Sequence, residues 1–206
     1  MKYVTDTVHG TITLNDDEVK LIDQPELQRL RRVKQLGFVC LVYPSATSVR
    51  FSHVLGVAYL AGKVGKHVGL TLEERQGLRF AALLHDCGHG PWSHDSEPVL
   101  EWYSGQNHEE RSAKIARRLV EDTLDGIVDP IEISKFITGE SKAPHAQILR
   151  SGFDVDYIDC LSRDTYYTGV RQKIDTQRLC DVLRFNNGKL EMLRKGQSAL
   201  EAFYIC

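Results

Sequence analysis

Apolar and polar positions alternate only near the start of this chain. In "TVHGTITLND", Ile12 and Leu14 stand two apart among polar neighbours, which predicts a short strand or hairpin arm. Beyond it the spacing lengthens to that of helices. In "DQPELQRLRRVKQLG", Leu27, Leu30, Val33 and Leu36 line one side, with Pro25 marking a helix start and Gly37 its end. Arg29, Arg31, Arg32 and Lys34 fall on the other side, the pattern of a solvated basic face. "HVLGVAYLAGKVGKHVGL" is apolar and rich in small residues, as expected of a buried helix in close contact with its neighbours. "TLEERQGLRFAALLHD" opens with Thr71 followed by Glu74, a capping box. "NHEERSAKIARRLVED" and "HAQILRSGFDVDYIDCLSRDTYY" supply further helices. The last stretch turns at Asn187-Gly188, enters a helix-like run and stops without a cap, with Phe203 to Cys206 apolar. The pattern predicts an all-α fold with a short N-terminal β-hairpin, in a single domain over 1–206. That domain divides into a β arm (1–20), a helical core (21–185) and the start of a C-terminal region (186–206).

Composition narrows the setting. The 206 residues are 42% hydrophobic, enough to bury a core, and the mean hydropathy is -0.30. No stretch approaches the roughly 18 apolar residues of a spanning helix, and the start lacks a secretion signal. A net charge of -2 gives no indication of nucleic-acid binding. Five cysteines without CxxC spacing suit reduced thiols, so a cytoplasmic location is expected.

The chemistry concentrates in "LLHDCGHGPWSH". Adjacent helical residues point about 100° apart, so His85 and Asp86 at a helix end can both reach an ion lying between them. Gly88, Gly90 and Pro91 then force a turn that folds His89 and His94 back to the same space. A mixed nitrogen and oxygen donor set suits Fe, Mn, Zn, Co or Ni, with Mg also within range. Further ligands are available from His53 in "RFSH" and from Asp154, Asp156 or Asp159 in "DVDYID". Two histidines with two carboxylates would leave coordination positions open, the mark of a catalytic ion. Spacing on a helix also puts Asp156, Cys160, Arg163 and Tyr167 on one face, as one cleft wall.

These motifs resemble the HD superfamily of metal-dependent phosphohydrolases. "DTVHGTITL", "IDQPELQRLRRVKQLG", "VYPSATSVRFSHVLGVAYLAG" and "GFDVDYIDCLSRDTYYTG" are similar to its deoxynucleoside-triphosphate triphosphohydrolase branch. The resemblance implies His53, His85, Asp86 and Asp156 as metal ligands. It sets His89, His94 and His108 beside the scissile phosphate, with His94 as the acid and Glu109 orienting the catalytic histidine. Gln35 and Leu36 would contact the sugar, Arg50 would clamp phosphate and Asp164 would accept the ribose 3′-hydroxyl. Tyr167 would stack on sugar or base. The implied reaction converts dNTPs to deoxynucleoside and inorganic triphosphate, with the nucleotide as partner and a homo-oligomer as a further expectation. A nucleotidase, a cyclic-nucleotide phosphodiesterase and a non-catalytic nucleotide-binding module are the rival readings.

Departures from the branch also stand out. Tyr157 replaces a lysine, Cys160 replaces a tyrosine, and Glu97 stands where aspartate is usual. Asp23, Gln28 and Arg31 match positions that bind an activating guanine nucleotide in a relative, although helix capping and surface charge explain them as well. Relatives continue past Cys206, so a C-terminal truncation is expected.

Overall fold

Helix α3 (Arg50–His67) runs through the middle of the fold. Val54, Val57, Ala58, Leu60, Ala61 and Val64 are all buried, and small residues let other elements approach closely. Against it packs α4 (Leu72–Leu84), begun by the expected capping box: Thr71 Oγ1 accepts the Glu74 N–H at 3.2 Å, and Glu74 returns the bond at 2.8 Å. The computed structural model describes residues 1–170 and 174–204. The terminal apolar pair Ile205 and Cys206 lies outside the described residues.

The first strands, β1 (Lys2–Asp6) and β2 (Gly10–Leu14), form the expected hairpin with Val4 opposite Ile12. Ile12 and Leu14 point into the core. There follow α1 (Asp16–Ile22), α2 (Pro25–Gln28), α3 and α4. Next come α5 (Glu97–Ser104), α6 (His108–Thr123), α7 (Pro130–Thr138), α8 (Val155–Thr168) and α9 (Thr176–Asp181). A second hairpin, β3 (Leu183–Asn186) with β4 (Lys189–Met192), precedes α10 (Gln197–Tyr204). The fold is thus mostly helical with two hairpins, and "all-α" overstates it. Asn187 and Gly188 both take positive φ, 48° and 76°, as a tight two-residue hairpin turn requires. Among the described residues no helix is long and apolar enough to cross a membrane.

The helix expected up to Leu36 ends earlier. It tightens into a 3-10 turn over Arg29–Arg32, after which Val33 is extended. The reason is pairing with a distant segment: Gln35 N–H donates to Ser48 at 2.9 Å, and Arg50 N–H donates to Val33 at 2.9 Å. Gln35 is thereby delivered to the cleft next to α3. Nor is the basic face wholly solvated. Arg29 donates to the carbonyls of Cys87 and His89, while Arg31 lies 3.7 Å over the Phe51 ring. Gln28 bonds to the Ile22 carbonyl and to Arg31, and Asp23 caps α1.

Candidate metal centre and active site

Helix α4 stops at Leu84, with His85 at its C-cap, and the chain turns sharply. Gly88 is essential to that turn's position, since a Cβ there would lie 2.4 Å from Ser112 N and 2.5 Å from His108 O. Its own N–H donates to Ser112 Oγ at 2.8 Å, which docks the loop on the first turns of α6. Ser93 Oγ donates to the Lys34 carbonyl and accepts Arg50 Nε at 2.8 Å. The strained left-handed backbone of Trp92 and Ser93 is held by these contacts.

Three elements meet at the end of α4. His53, in the first turn of α3, places Nε2 3.0 Å from Asp156 Oδ1 and 3.5 Å from Asp86 Oδ2. His85 Nε2 lies 3.4 Å from Asp86 Oδ1 and 3.5 Å from Asp156 Oδ1. Neighbouring ligands of an ion bound at about 2.1 Å are themselves about 3 Å apart, so these separations fit a first-row divalent ion. His53 Nδ1 bonds to Asp159 Oδ2 at 2.7 Å and His85 Nδ1 to the Ala82 carbonyl at 2.7 Å, which turns both Nε2 atoms towards the centre. His85 Nε2 is buried without a hydrogen-bond partner, as expected of an atom placed to hold an ion. The donor set therefore fits a metal. Of the other two aspartates, Asp154 caps α8 through the Tyr157 N–H, and Asp159 faces the far side of His53.

Electrostatics support the same arrangement. Burial disfavours a charged His53, but Asp156 and Asp159 outweigh it and raise its pKa to about 10. His85 is likewise raised against its burial, by Asp86 and Asp156. Burial would raise Asp86, yet Arg50 and His85 hold it well below the usual carboxylate range. Loading an ion requires His53 to give up its Nε2 proton, so binding is linked to pH. Chelator competition at pH 6 and pH 8 is expected to show tighter binding at the higher pH, about tenfold per unit for each proton released. An affinity unchanged with pH would contradict the assignment of His53.

A second cluster adjoins the first. Glu97, at the start of α5, accepts the His108 N–H at 2.6 Å through Oε1. Its Oε2 lies 2.7 Å from His108 Nδ1, 3.3 Å from His94 Nδ1 and 3.9 Å from His89 Nδ1. The His89 and His108 rings stack at 4.0 Å, with His94 edge-on to both. Burial drives His89 down to about 3 and lowers His108, in each case against a nearby carboxylate. His94 is two-thirds exposed at the cleft mouth. The carboxylate expected to orient these rings was Glu109, but it pairs with Arg150. His108 and Glu109 are neighbours on α6 and point in different directions, and the carboxylate nearest the rings is Glu97.

The cleft between the clusters has a volume of about 290 Å³ and is lined by Gln35, Arg50, Asp86, His94, Asp156 and Cys160 among others. Gln35 Oε1 and Asp164 Oδ1 are buried acceptors without partners. Burial pushes the Cys160 thiol well above its usual range, and the neutral thiol lies 3.4 Å from Asp164 Oδ2. Leu36 is half-buried just before the Gly37–Leu41 3-10 turn and does not line this cleft. The expected wall also breaks after Cys160. Arg163 is fully buried on Asp6 and Asp159, and Tyr167 meets Thr7 of the hairpin at 3.0 Å. Residues missed from the sequence are His9 and Asp6, and Asp159, offered there as a possible ligand, instead meets the far nitrogen of His53. His9 reaches Asp159 across 150 positions, so no local spacing signals it. Asp159 does carry a signal, standing one helical turn after Asp156.

The HD domain family matches residues 50–164, more than half of the chain. An uncharacterized protein of Methanocaldococcus jannaschii is 35% identical over 100% of this chain and 44% of its own length. A Dictyostelium discoideum protein named deoxynucleoside triphosphate triphosphohydrolase SAMHD1 homolog is 34% identical, over 94% of this chain and 42% of its own. The human protein of that name is 32% identical, over 89% and 36%. The chain thus spans less than half the length of these relatives. A phosphohydrolase structure from Bacteroides thetaiotaomicron superposes with a TM-score of 0.88 at 31% identity, covering 98% of this chain and 52% of that one. The matched segment opens just before His53 and closes just after Asp156, so it contains both clusters: this chain belongs to the HD domain family.

Proposed function

We propose that this chain is a metal-dependent phosphohydrolase that hydrolyses dNTPs to deoxynucleoside and inorganic triphosphate. One observation carries the reading: Arg50, the proposed metal donors His53, Asp86 and Asp156, and the histidines His94 and His108 line a single cleft, with buried acceptors that lack donors at Gln35 and Asp164. The 3′-hydroxyl of a deoxyribose would supply a donor to one of them. His53, His85, Asp86 and Asp156 would hold a divalent transition ion, which supplies a Lewis acid for a phosphoryl oxygen and makes water more acidic.

The chain's own groups do the rest. Arg50 lines the cleft with guanidinium N–H groups left over after Asp86 and Ser93, and a planar fork suits phosphate oxygens. Asp164 Oδ1 orients the sugar by accepting from its 3′-hydroxyl, with the Gln35 amide on the cleft wall beside it. Water adds to the α-phosphorus as the bond to the nucleoside 5′-oxygen breaks, and His94 gives that oxygen its proton. Glu97 and His108 hold the His94 ring towards the leaving group.

Replacing Glu97 with glutamine keeps the shape but removes the charge that all three rings face. The expected result is a fall in kcat of about 10- to 100-fold with metal content unchanged. A variant with wild-type kcat would remove Glu97 from the catalytic group.

Product analysis tests the reaction itself. Protein supplied with Mn²⁺ and the four dNTPs, followed by phosphorus NMR, is expected to yield tripolyphosphate. One feature favours a nucleotidase as the second reading. The cleft cations Arg50 and Arg150 are both paired, with Asp86 and Glu109, which leaves little positive charge for a full triphosphate. Orthophosphate from deoxynucleoside monophosphates with intact dNTPs would select that reading, and no turnover of either would overturn both.

A further inference from the structure

Asp159 is fully buried and accepts from three side chains. Its Oδ2 takes His53 Nδ1 at 2.7 Å and Arg163 Nε at 3.0 Å. Its Oδ1 takes His9 Nε2 at 2.6 Å and the second Arg163 nitrogen at 2.9 Å. An ionised carboxylate can only accept, so both imidazoles must turn an N–H towards it. Arg163 keeps the carboxylate charged and is itself paired with Asp6 at 2.9 Å. Asp6 also accepts the backbone N–H groups of Val8 and His9, which fixes the hairpin turn. His9 packs against Tyr59 of α3 with ring centroids 5.3 Å apart. Gly56, one turn after His53, completes the fit, because a Cβ there would stand 1.9 Å from Asp159 Oδ1.

We infer that His9 and Asp159 are positioning residues of the metal centre, through which hairpin β1–β2 fixes the ring orientation and Nδ1–H tautomer of His53 and so sets the affinity for a divalent transition ion. The inference rests on His53 being a ligand, as proposed above. Its physical basis is the sharing of one carboxylate. Without the His9 N–H, Oδ1 loses its shortest bond and the carboxylate is free to rotate towards Arg163, away from the contact that orients His53. His85 has no such dependence, since its Nδ1 bonds to the carbonyl of Ala82 within its own helix. A plain structural anchor would also tie the hairpin to α8, but its loss would lower stability alone and leave the ion's surroundings unchanged.

Cobalt(II) separates these cases, because its visible bands report ligand geometry without any nucleotide. The full chain, freed of metal, would be titrated with Co²⁺ as wild type, His9→Phe, His9→Gln and Asp159→Asn, with the melting temperature of each metal-free form recorded alongside. Phenylalanine keeps the ring against Tyr59 without the donor, whereas glutamine keeps an N–H. His9→Phe is expected to weaken Co²⁺ binding about 10- to 100-fold and to shift the bands, and His9→Gln to restore most of the affinity. Asp159→Asn should weaken binding at least as much, and it decides the matter if His9→Phe does not fold. Equal affinity and spectra in wild type and variants would overturn the inference alone. A wild type that binds no Co²⁺ would overturn the ligand assignment and the inference with it.

Discussion

Replacing Asp86 with alanine is expected to abolish stoichiometric metal binding and to lower kcat/KM by about a thousandfold or more. Four kcal/mol of lost charge stabilisation is about that factor, and a bound ion supplies several. The carboxylate is central to both clusters. Its Oδ1 lies 3.4 Å from His85 Nε2 and 3.4 Å from His89 Nε2, and its Oδ2 pairs with Arg50. Stability should fall as well. Arg50 is 3% exposed, and removing the partner of a buried charge costs about 3–5 kcal/mol. In a protein of this size that is roughly 6–20 °C of melting temperature.

Asp86→Asn divides the two effects. Its amide oxygen still accepts from Arg50, so the loss of stability should be smaller, while the missing charge should remove the metal as fully as alanine does. Metal content after dialysis, melting temperature and steady-state kinetics would be measured on both. A metal-replete Asp86→Ala protein would contradict the centre described above, and a pair of variants equally unstable would contradict the role of Arg50's partner.

The parts of this site that were legible in the sequence are those that lie on one helix or its end. His85 and Asp86 are adjacent, and Gly88, Gly90 and Pro91 mark the turn that follows them. Asp156 was chosen over Asp154 and Asp159 by resemblance, whereas the structure separates the three by direction. Asp154 accepts the N–H groups that begin α8, Asp156 faces the centre, and Asp159 meets the far nitrogen of His53. Glu109, beside His108 on α6, lines the cleft and pairs there with Arg150, while Glu97 is the carboxylate that the rings face. Arg163 and Tyr167 failed for a non-local reason, since the hairpin that draws them away lies more than 150 residues earlier. The early end of the helix after Pro25 had no local sign either. Leu27, Leu30 and Val33 satisfy an α-helix and an α-turn followed by a 3-10 turn equally well, and the pairing with Ser48 and Arg50 decides between them. The second hairpin could have been found, because Leu183 and Phe185, then Leu190 and Met192, alternate about the Asn187-Gly188 turn.

Replacing His94 with alanine is expected to lower kcat about 10²- to 10⁴-fold, the usual share of a general acid, while metal content stays at the wild-type level. The side chain is two-thirds exposed and none of its atoms approaches the ligand donors within ion-pair distance, so the fold and the centre should tolerate its loss. A drop in rate alone would not identify the acid, because a phosphate-binding histidine would produce one too. The leaving group makes the distinction. A nucleoside 5′-oxygen needs a proton as it departs, whereas a nitrophenolate does not. On a nitrophenyl phosphodiester the loss caused by His94→Ala should therefore shrink to less than about tenfold. Equal losses on both substrates would reassign His94 to phosphate binding. The proton would then have to come from His108, which lies 5.1 Å from His94 between ring centroids and shares its contact with Glu97.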